Sequence, residues 1–257
     1  MNDGLIVDNL NYGILNNISF SLKESTFTAL IGKGGSGKTS LLRCISGLCE
    51  HSGNIIISGN VITKSSKMNE NIGIFTELFT LVDGTGFENI MEPLSYLGLS
   101  LDKIKKKVYD ISKKLGIESL IYKNINVLSY SEKKMIAIAK SIVHEPSVIM
   151  LDNVFDSLDL YYKNKLISYL KSIKKGIIIF TTNNSEDLML ADNIIILKDG
   201  KIIENSARDD LFIKENVFIK NGFKLPFIID LSHKLQSYEL VDHLIYSNED
   251  MVNELWK

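Results

Sequence analysis

Apolar positions in the first part of the chain follow the spacing of β-strands. Residues 18–22 alternate apolar and polar side chains, residues 27–31 are mainly apolar, and residues 53–62 hold two β-branched runs around a Ser58-Gly59-Asn60 turn. Alternation with a period of two is typical of a half-buried strand, and a short apolar run is typical of a fully buried one. We therefore predict that this part is rich in strands.

The middle of the chain has a helical spacing instead. From about residue 87 to residue 120 the apolar positions no longer alternate, and a lysine-rich stretch places Ile104, Val108, Ile111 and Leu115 on one stripe. A spacing of three and four residues is that of one helix face. The pattern predicts a helical insertion between two strand-containing parts.

Short buried strands return in the second half. The apolar runs 148–151, 177–180 and 194–197 alternate with helical patterns at 161–173 and 185–190. Strands of this kind are typical of a mostly parallel sheet that is covered on both faces. We predict an α/β core of three layers, followed near Gly200 by a short hairpin and a helical tail.

Composition narrows the class of protein without defining its chemistry. The 257 residues are 45% hydrophobic and 23% charged, with a net charge of −2, which is ordinary for a globular protein and disfavours nucleic acid as a partner. Cys44 and Cys49 are expected to be reduced, buried thiols, as in a cytosolic protein. The chain lacks an apolar run of the ~20 residues that a membrane span needs, so we expect membrane contact only through partners.

The segment Gly32-Lys33-Gly34-Gly35-Ser36-Gly37-Lys38-Thr39 has the spacing of a phosphate-binding loop. It follows a predicted strand and precedes a helical pattern that starts at Ser40, which is the context the motif requires. Glycines let backbone N–H groups face a polyphosphate, Lys38 can reach the outer phosphates and Thr39 can ligate Mg²⁺. The loop predicts that the chain binds a nucleoside triphosphate.

A second group of residues follows the helical insertion. Ser129 and Glu132 form an S-x-x-E capping box before a helical stripe that ends near Pro146. The next apolar run leads into Asp152. A carboxylate at that end of a strand beside the phosphate loop can hold Mg²⁺ through water.

The order of these motifs, together with Leu158-Asp159, resembles the ATP-binding-cassette (ABC) ATPases over nearly the first 205 residues. The resemblance implies a head-to-tail dimer, in which each ATP lies between one subunit's phosphate loop and the other's signature motif. It implies an antiparallel β subdomain beside the core and an ATP site with Mg²⁺. The residues expected to bind the nucleotide are Tyr12 (stacked on adenine), Gly32, Lys33, Gly34, Gly35, Ser36, Gly37, Lys38, Thr39, Ser40, Ser129 and Asp159 (at the dimer interface).

The segment L-S-Y-S-E-K-K-M-I-A-I-A at residues 128–139 is similar to the L-S-G-G-E-K-Q-R-V-A-I-A of the energy-coupling-factor branch. The tail, with its G-F-K-L-P at 222–226, is similar to the C-terminal extension of the same branch. The resemblance implies a peripheral subunit on the cytoplasmic face of the membrane. There two ATPase subunits drive a transmembrane coupling protein, which works with a separate substrate-binding membrane protein to import vitamins or metal ions. It divides the chain into an ATP-binding domain (1–205, with a helical subdomain at about 85–145) and an extension (206–257) that supports the dimer.

Several positions depart from the family pattern. Asn153 stands where the family has the Glu that deprotonates the attacking water, and an amide cannot take a proton. Asn183 stands in place of the switch His. Glu77 stands in place of a Gln and could ligate Mg²⁺ beside Thr39 and Asp152, but it would repel the γ-phosphate without the metal.

The signature segment also departs from the pattern. Tyr130 and Ser131 replace its two glycines, so the ring of Tyr130 must turn away from an approaching phosphate. Asp156 replaces a Ser. Ser129, expected to face the partner's γ-phosphate, is retained.

These departures predict that the chain binds ATP and hydrolyses it poorly at its own site. The sequence favours the impaired half of a heterodimer and leaves a homodimer open. The alternative is a non-transport regulator or scaffold that is gated by ATP and turns little of it over. Asn153 and Asn183 are the residues that favour this alternative.

Overall fold

The computed structural model describes residues 3–65 and 69–256, whose strands form two sheets. An antiparallel sheet of four strands has the order β2-β1-β4-β5, and a sheet of six strands has the order β10-β9-β3-β8-β7-β6. The strands are β1 (Asp3–Tyr12), β2 (Leu15–Lys23), β3 (Thr26–Ile31), β4 (Ser52–Ile57), β5 (Asn60–Val61), β6 (Ile72–Phe75), β7 (Val148–Leu151), β8 (Ile177–Thr181), β9 (Asn193–Lys198) and β10 (Lys201–Ala207).

The six-stranded sheet is parallel except for the hairpin of β9 and β10. Phe75, Leu151 and Phe180 lie side by side on β6, β7 and β8. Because these strands run in the same direction, they end in step at one edge of the sheet. The residues that follow them are therefore brought together.

Helices cover the sheet and build the insertion and the tail. They are α1 (Lys38–Ile45), α2 (Gly86–Met91), α3 (Leu101–Leu115), α4 (Tyr130–Ile142), α5 (Leu160–Ser172), α6 (Arg208–Ile213), α7 (Glu215–Asn221), α8 (Phe227–Ser237) and α9 (Asn248–Leu255), with short 3₁₀ helices at Glu92–Tyr96, Ile125–Val127 and Ser185–Leu190. No helix of the described ranges is long and apolar enough to cross a membrane.

Alternate residues of β8 belong to two different hydrophobic clusters. Ile178 and Phe180 pack with the helical insertion and the tail, whereas Ile177 and Ile179 pack with α1 and the antiparallel sheet. Both faces of the central sheet are thus buried, which explains why its strands are apolar throughout. The predicted α/β core of three layers is confirmed.

The helical insertion follows the predicted stripe. Ile104, Val108, Ile111 and Leu115 of α3 are all buried. The capping box at the start of α4 is present in full: the Ser129 hydroxyl accepts a hydrogen bond from the Glu132 backbone N–H, and the Glu132 carboxylate accepts one from the N–H of Ser129. This cap fixes where the signature helix begins.

Three elements differ from the sequence-based expectation. β1 was not predicted, because bulges and a left-handed Asn9 (φ 51°) interrupt its alternation. β6 was missed because a glycine divides its four residues. Residues Ser185–Leu190 form a 3₁₀ helix capped by the Asn184 side chain rather than the α-helix implied by their spacing.

The C-terminal helices α6–α9 pack onto the core instead of standing apart from it. Phe212 and Phe218 are fully buried and belong to the same cluster as the insertion. At the start of α8 the backbone N–H of Phe227 donates to the carboxylate of Glu186 over 2.7 Å. Glu186 lies in the 3₁₀ helix that follows β8, so the tail is bonded directly to the edge where the strands end.

Candidate functional site

The phosphate loop connects β3 to α1 in a conformation that glycine makes possible. Gly37 has a left-handed φ of 107°, and a Cβ there would lie 2.7 Å from Leu15. A Cβ at Gly32 would lie 2.4 Å from the backbone oxygen of Leu197. The loop is therefore shaped by close backbone approaches that side chains would prevent. α1 begins at Lys38, and its N-terminus faces the loop.

Lys38 lies over the loop that precedes it. Its ammonium donates to the backbone oxygen of Gly32 over 2.6 Å. Burial lowers the pKa of Lys38, and the nearby charge of Asp152 acts in the opposite direction. The ammonium is thus held by a carbonyl at the mouth of the loop, where an anionic ligand would offer it a stronger partner.

Thr39 and Asp152 meet at the centre of the site. The Thr39 hydroxyl donates to one oxygen of the Asp152 carboxylate over 2.6 Å, and the Thr181 hydroxyl donates to the other over 2.6 Å. Asp152 is only 3% exposed. A hydroxyl and one carboxylate suit Mg²⁺, which takes its remaining ligands from water and phosphate oxygens. Within the described ranges no group of three or more His, Cys, Asp or Glu residues could hold a metal alone.

The residues just beyond the ends of β6, β7 and β8 form a second group beside this pair. The Asn153 amide donates to the carboxylate of Glu77 over 3.1 Å. The Asn183 amide lies 3.4 Å from the side-chain oxygen of Asn153 and 3.4 Å from that of Asp156. Three of the residues predicted to govern hydrolysis are therefore brought into contact. The hydrogen bond of Glu77 goes to Asn153 rather than to Thr39 or Asp152.

Lys134 is a functional candidate that the sequence reasoning missed. It is 1% exposed, and its ammonium donates to the backbone oxygens of Asn153 (2.8 Å) and Asp156 (2.5 Å). Burial lowers its pKa, while the charges of Asp156 and Glu77 raise it. A lysine three residues after Ser131 and four before Ile138, on the buried stripe of α4, is the signal that could have revealed it.

The signature segment lies at the start of α4. Ser129 caps the helix, and the Ser131 hydroxyl accepts a hydrogen bond from the backbone N–H of Asp159 over 3.1 Å. The half-exposed ring of Tyr130 lies 5.9 Å from the ring of Phe79. The altered signature thus packs against the segment that follows Glu77.

Tyr12 ends β1, and its side chain is 37% exposed. A hydrogen bond with Cys49 raises the pKa of Tyr12. Stacking of its ring on adenine stays a prediction, as do the roles of Ser40 and Asp159. Cys44 and Cys49 are free and buried, as expected, and burial together with Cys49 raises the pKa of Cys44 to about 12.

A cleft of about 560 Å³ opens beside the first half of the phosphate loop. Its walls come from the loop, from the segment after β8 and from the tail. The lining residues include Lys33, Gly34, Asn183, Ser185, Phe223 and Lys224. The tail therefore contributes to the surroundings of the loop, which the sequence did not indicate.

Comparison with known proteins gives consistent matches. The family model described as ABC transporter matches residues 15–156. The chain is 29% identical to the energy-coupling factor transporter ATP-binding protein EcfA1 of Ligilactobacillus salivarius, over 99% of this chain and 97% of that protein. It is 27% identical to EcfA1 of Streptococcus pyogenes serotype M1, over 94% and 90% of the two chains.

Solved structures share the fold. The structure of cbiO1 from Clostridium perfringens, described as part of the ABC transporter complex cbiONQ, superposes with a TM-score of 0.74 at 28% identity, covering 90% of this chain and 99% of that one. A dimeric ATP-binding cassette in a post-hydrolysis state with ADP and phosphate gives a TM-score of 0.72 at 22% identity, covering 79% of this chain and 98% of that one. The second match bears on the fold alone.

Proposed function

The chain belongs to the ABC transporter family, and on this basis we propose that it is an ATP-binding subunit of an energy-coupling-factor importer whose own site hydrolyses ATP slowly. Its similarity to EcfA1 proteins extends through the C-terminal tail, beyond the segment that the family model matches. The observation that carries the proposal is that an amide, Asn153, lies where the reaction needs a base. The phosphate loop, Thr39 and Asp152 beside it are those of a nucleotide-binding site.

The binding parts fit ATP with Mg²⁺. Lys38 and the α1 N-terminus would hold the phosphates, and Thr39 with Asp152 would hold the metal, which supplies positive charge beside the outer phosphates. The support for this is the 2.6 Å contact between the Thr39 hydroxyl and the Asp152 carboxylate, which places two oxygen ligands together.

Slow hydrolysis follows from the side chains around Asn153. Neither Asn153 nor Asn183 can accept a proton at neutral pH, and loss of a general base costs about 10²- to 10⁴-fold in rate. The carboxylate of Glu77 accepts the hydrogen bond of the Asn153 amide. The chain is then suited to hold ATP while a partner carrying Glu and His supplies the faster site.

A second ATPase subunit would complete each nucleotide site, with Ser129 and Asp159 at the interface. We assign the supporting contact to the extension at 206–257, which exposes large apolar side chains. Phe227 is 64%, Tyr238 is 76% and Trp256 is 85% exposed. Exposed apolar side chains gathered on one part of a chain are typical of an interaction surface.

A groove of about 310 Å³ beside β6 would receive the transmembrane coupling protein. It lies between the end of β6 and the insertion, and its lining includes Leu78, Phe79, Pro93 and Ala137. Leu78 is 91% exposed. The groove also contains the polar side chains of Lys140 and His144, so it suits a helix with an apolar face and polar flanks. Since Glu77 precedes Leu78, movement in the groove would reach Asn153.

Co-expression of this chain with a second ATPase and a coupling protein from the same genome tests the proposal. We expect a membrane-bound complex whose ATPase rate exceeds that of the chain alone by at least tenfold. The alternative, an ATP-gated regulator, is favoured by the same two asparagines. It predicts ATP binding and no complex with the membrane protein, and a soluble chain that turns ATP over rapidly alone would contradict both functions.

A further inference from the structure

Two side chains of α4 reach from the signature segment to the loop that follows β7. The Lys134 ammonium donates to the backbone oxygens of Asn153 and Asp156, and the Ser131 hydroxyl accepts from the N–H of Asp159. Both side chains are buried. The contacts fall at both ends of residues 153–159, which we call the reaction loop.

The reaction loop has a backbone that needs such support. Asn153 (φ 45°) and Ser157 (φ 59°) are both left-handed. Most L-residues disfavour this conformation, which persists where the surroundings support it. Hydrogen bonds from an ammonium are stronger than those between neutral groups, and the ring of Phe75 lies 5.7 Å from the Lys134 nitrogen. Lys134 is therefore well placed to enforce the conformation of the loop.

The resemblance described above marks both positions as departures from the related segment. Where this chain has Ser131 and Lys134, the related segment has Gly and Gln, L-S-G-G-E-K-Q. A glycine has no hydroxyl to accept from Asp159, and a glutamine is shorter than a lysine and uncharged. Both links thus depend on side chains three residues apart on one helix.

We propose that Ser131 and Lys134 are positioning residues that join the first turn of α4 to the reaction loop, so that the two move as one body and nucleotide bound at the chain's own phosphate loop is sensed at Ser129. The path is short. Thr39 contacts Asp152, which is followed directly by Asn153, and the loop is then tied to α4 on both sides. The proposal rests on the proposed binding of ATP.

Hydrogen exchange, measured by mass spectrometry on the full chain without nucleotide, tests whether α4 and the reaction loop move as one body. Ser131→Ala removes only the bond to Asp159, and Lys134→Gln introduces the family's residue. We expect each variant to speed exchange at least tenfold in both halves of the loop, including the half that it does not touch. Lys133→Met and Ser172→Ala are controls on the helices. Acceleration confined to the directly bonded residues would overturn the proposal.

Adding ATP with Mg²⁺ tests whether nucleotide binding is sensed at Ser129. The protein concentration is kept low enough that light scattering shows a monomer. The wild-type chain should show slower exchange in the phosphate loop, the reaction loop and residues 129–134. In the double variant Ser131→Ala/Lys134→Gln the phosphate loop should stay protected while residues 129–134 lose their protection. Equal protection of residues 129–134 in both proteins would overturn the proposal, whereas an unprotected phosphate loop in the wild type would overturn ATP binding itself.

Discussion

The amide of Asn153 donates to the carboxylate of Glu77 over 3.1 Å, which joins the two residues that the resemblance predicts to stand in place of the family's base and its glutamine. The contact is consistent with the register of β6 and β7, in which Phe75 pairs with Leu151, because Glu77 and Asn153 each lie two residues beyond that pair. The two replacements are therefore coupled, and restoring one of them alone is expected to create a conflict.

We predict that Asn153→Glu raises ATP turnover only modestly, because the new carboxylate would lie beside that of Glu77 and adopt a left-handed φ. The double variant Asn153→Glu/Glu77→Gln removes the repulsion and should gain about tenfold more, within the 10²- to 10⁴-fold effect of a general base. Steady-state phosphate release measures both. If the rate gain of the double variant equals the product of the two single gains, the two positions act independently.

Glu77→Gln alone should strengthen ATP binding in the absence of Mg²⁺. Removing a negative charge from the group of residues around Asn153 reduces repulsion of the γ-phosphate, by about three- to tenfold in Kd for charges in a partly exposed site. With Mg²⁺ present the effect should be smaller. Titration calorimetry with EDTA and then with Mg²⁺ measures the difference, and an unchanged Kd in EDTA would place Glu77 away from the nucleotide.

Lys38→Ala should abolish ATP binding while the chain remains folded. Lys38 bonds only to backbone oxygens of its own loop, Gly32 and Lys33, so its loss leaves the packing of the core intact. Calorimetry gives the affinity, and circular dichroism shows whether the helices persist. Lys64→Ala, which removes an exposed lysine paired with Glu50, is the matched control. Retained affinity in Lys38→Ala would refute the assignment of the phosphate loop.

Leu78→Asp should release the chain from its membrane complex. Leu78 is 91% exposed at the rim of the groove beside β6, and a carboxylate there would oppose the burial of an apolar helix. ATP affinity should not change. Tyr122→Asp, at another exposed aromatic residue, is the control, and membrane pull-down with the coupling protein is the assay. If the coupling protein pulls down both variants equally, Leu78 does not belong to the docking site.

Cys44 should make stability fall with alkaline pH. Because burial raises its pKa from 9.0 to about 12, the folded state keeps the thiol proton that the unfolded state releases. The stabilisation is complete below pH 9 and is lost as the pH rises towards 12. Urea unfolding of the wild type and of Cys44→Ala at pH 8 and pH 10.5 measures how much the free energy of unfolding of each protein falls between the two pH values. An equal fall in the free energy of unfolding of both proteins would exclude Cys44 as a source of the pH dependence.

The sequence predicts local features of the fold best. The phosphate loop and the cap at Ser129 depend on residues close together in the chain, and apolar runs fix the strands that end at Leu151 and Phe180. The contact of Asn153 with Glu77 depends on which strands are neighbours, which the sequence pattern did not predict. Lys134 was missed because periodicity assigns a lysine to solvent unless its backbone partners are known.

When neighbouring parallel strands end at the same level, a catalytic side chain can follow either strand and still lie in the same site. Since β6 and β7 keep their register to the last residue, the side chains that follow the two strands lie beside each other. Here an acid, Glu77, stands after β6 and an amide, Asn153, stands after β7. Proteins of this architecture can thus gain or lose turnover through paired exchanges of the two neighbouring side chains.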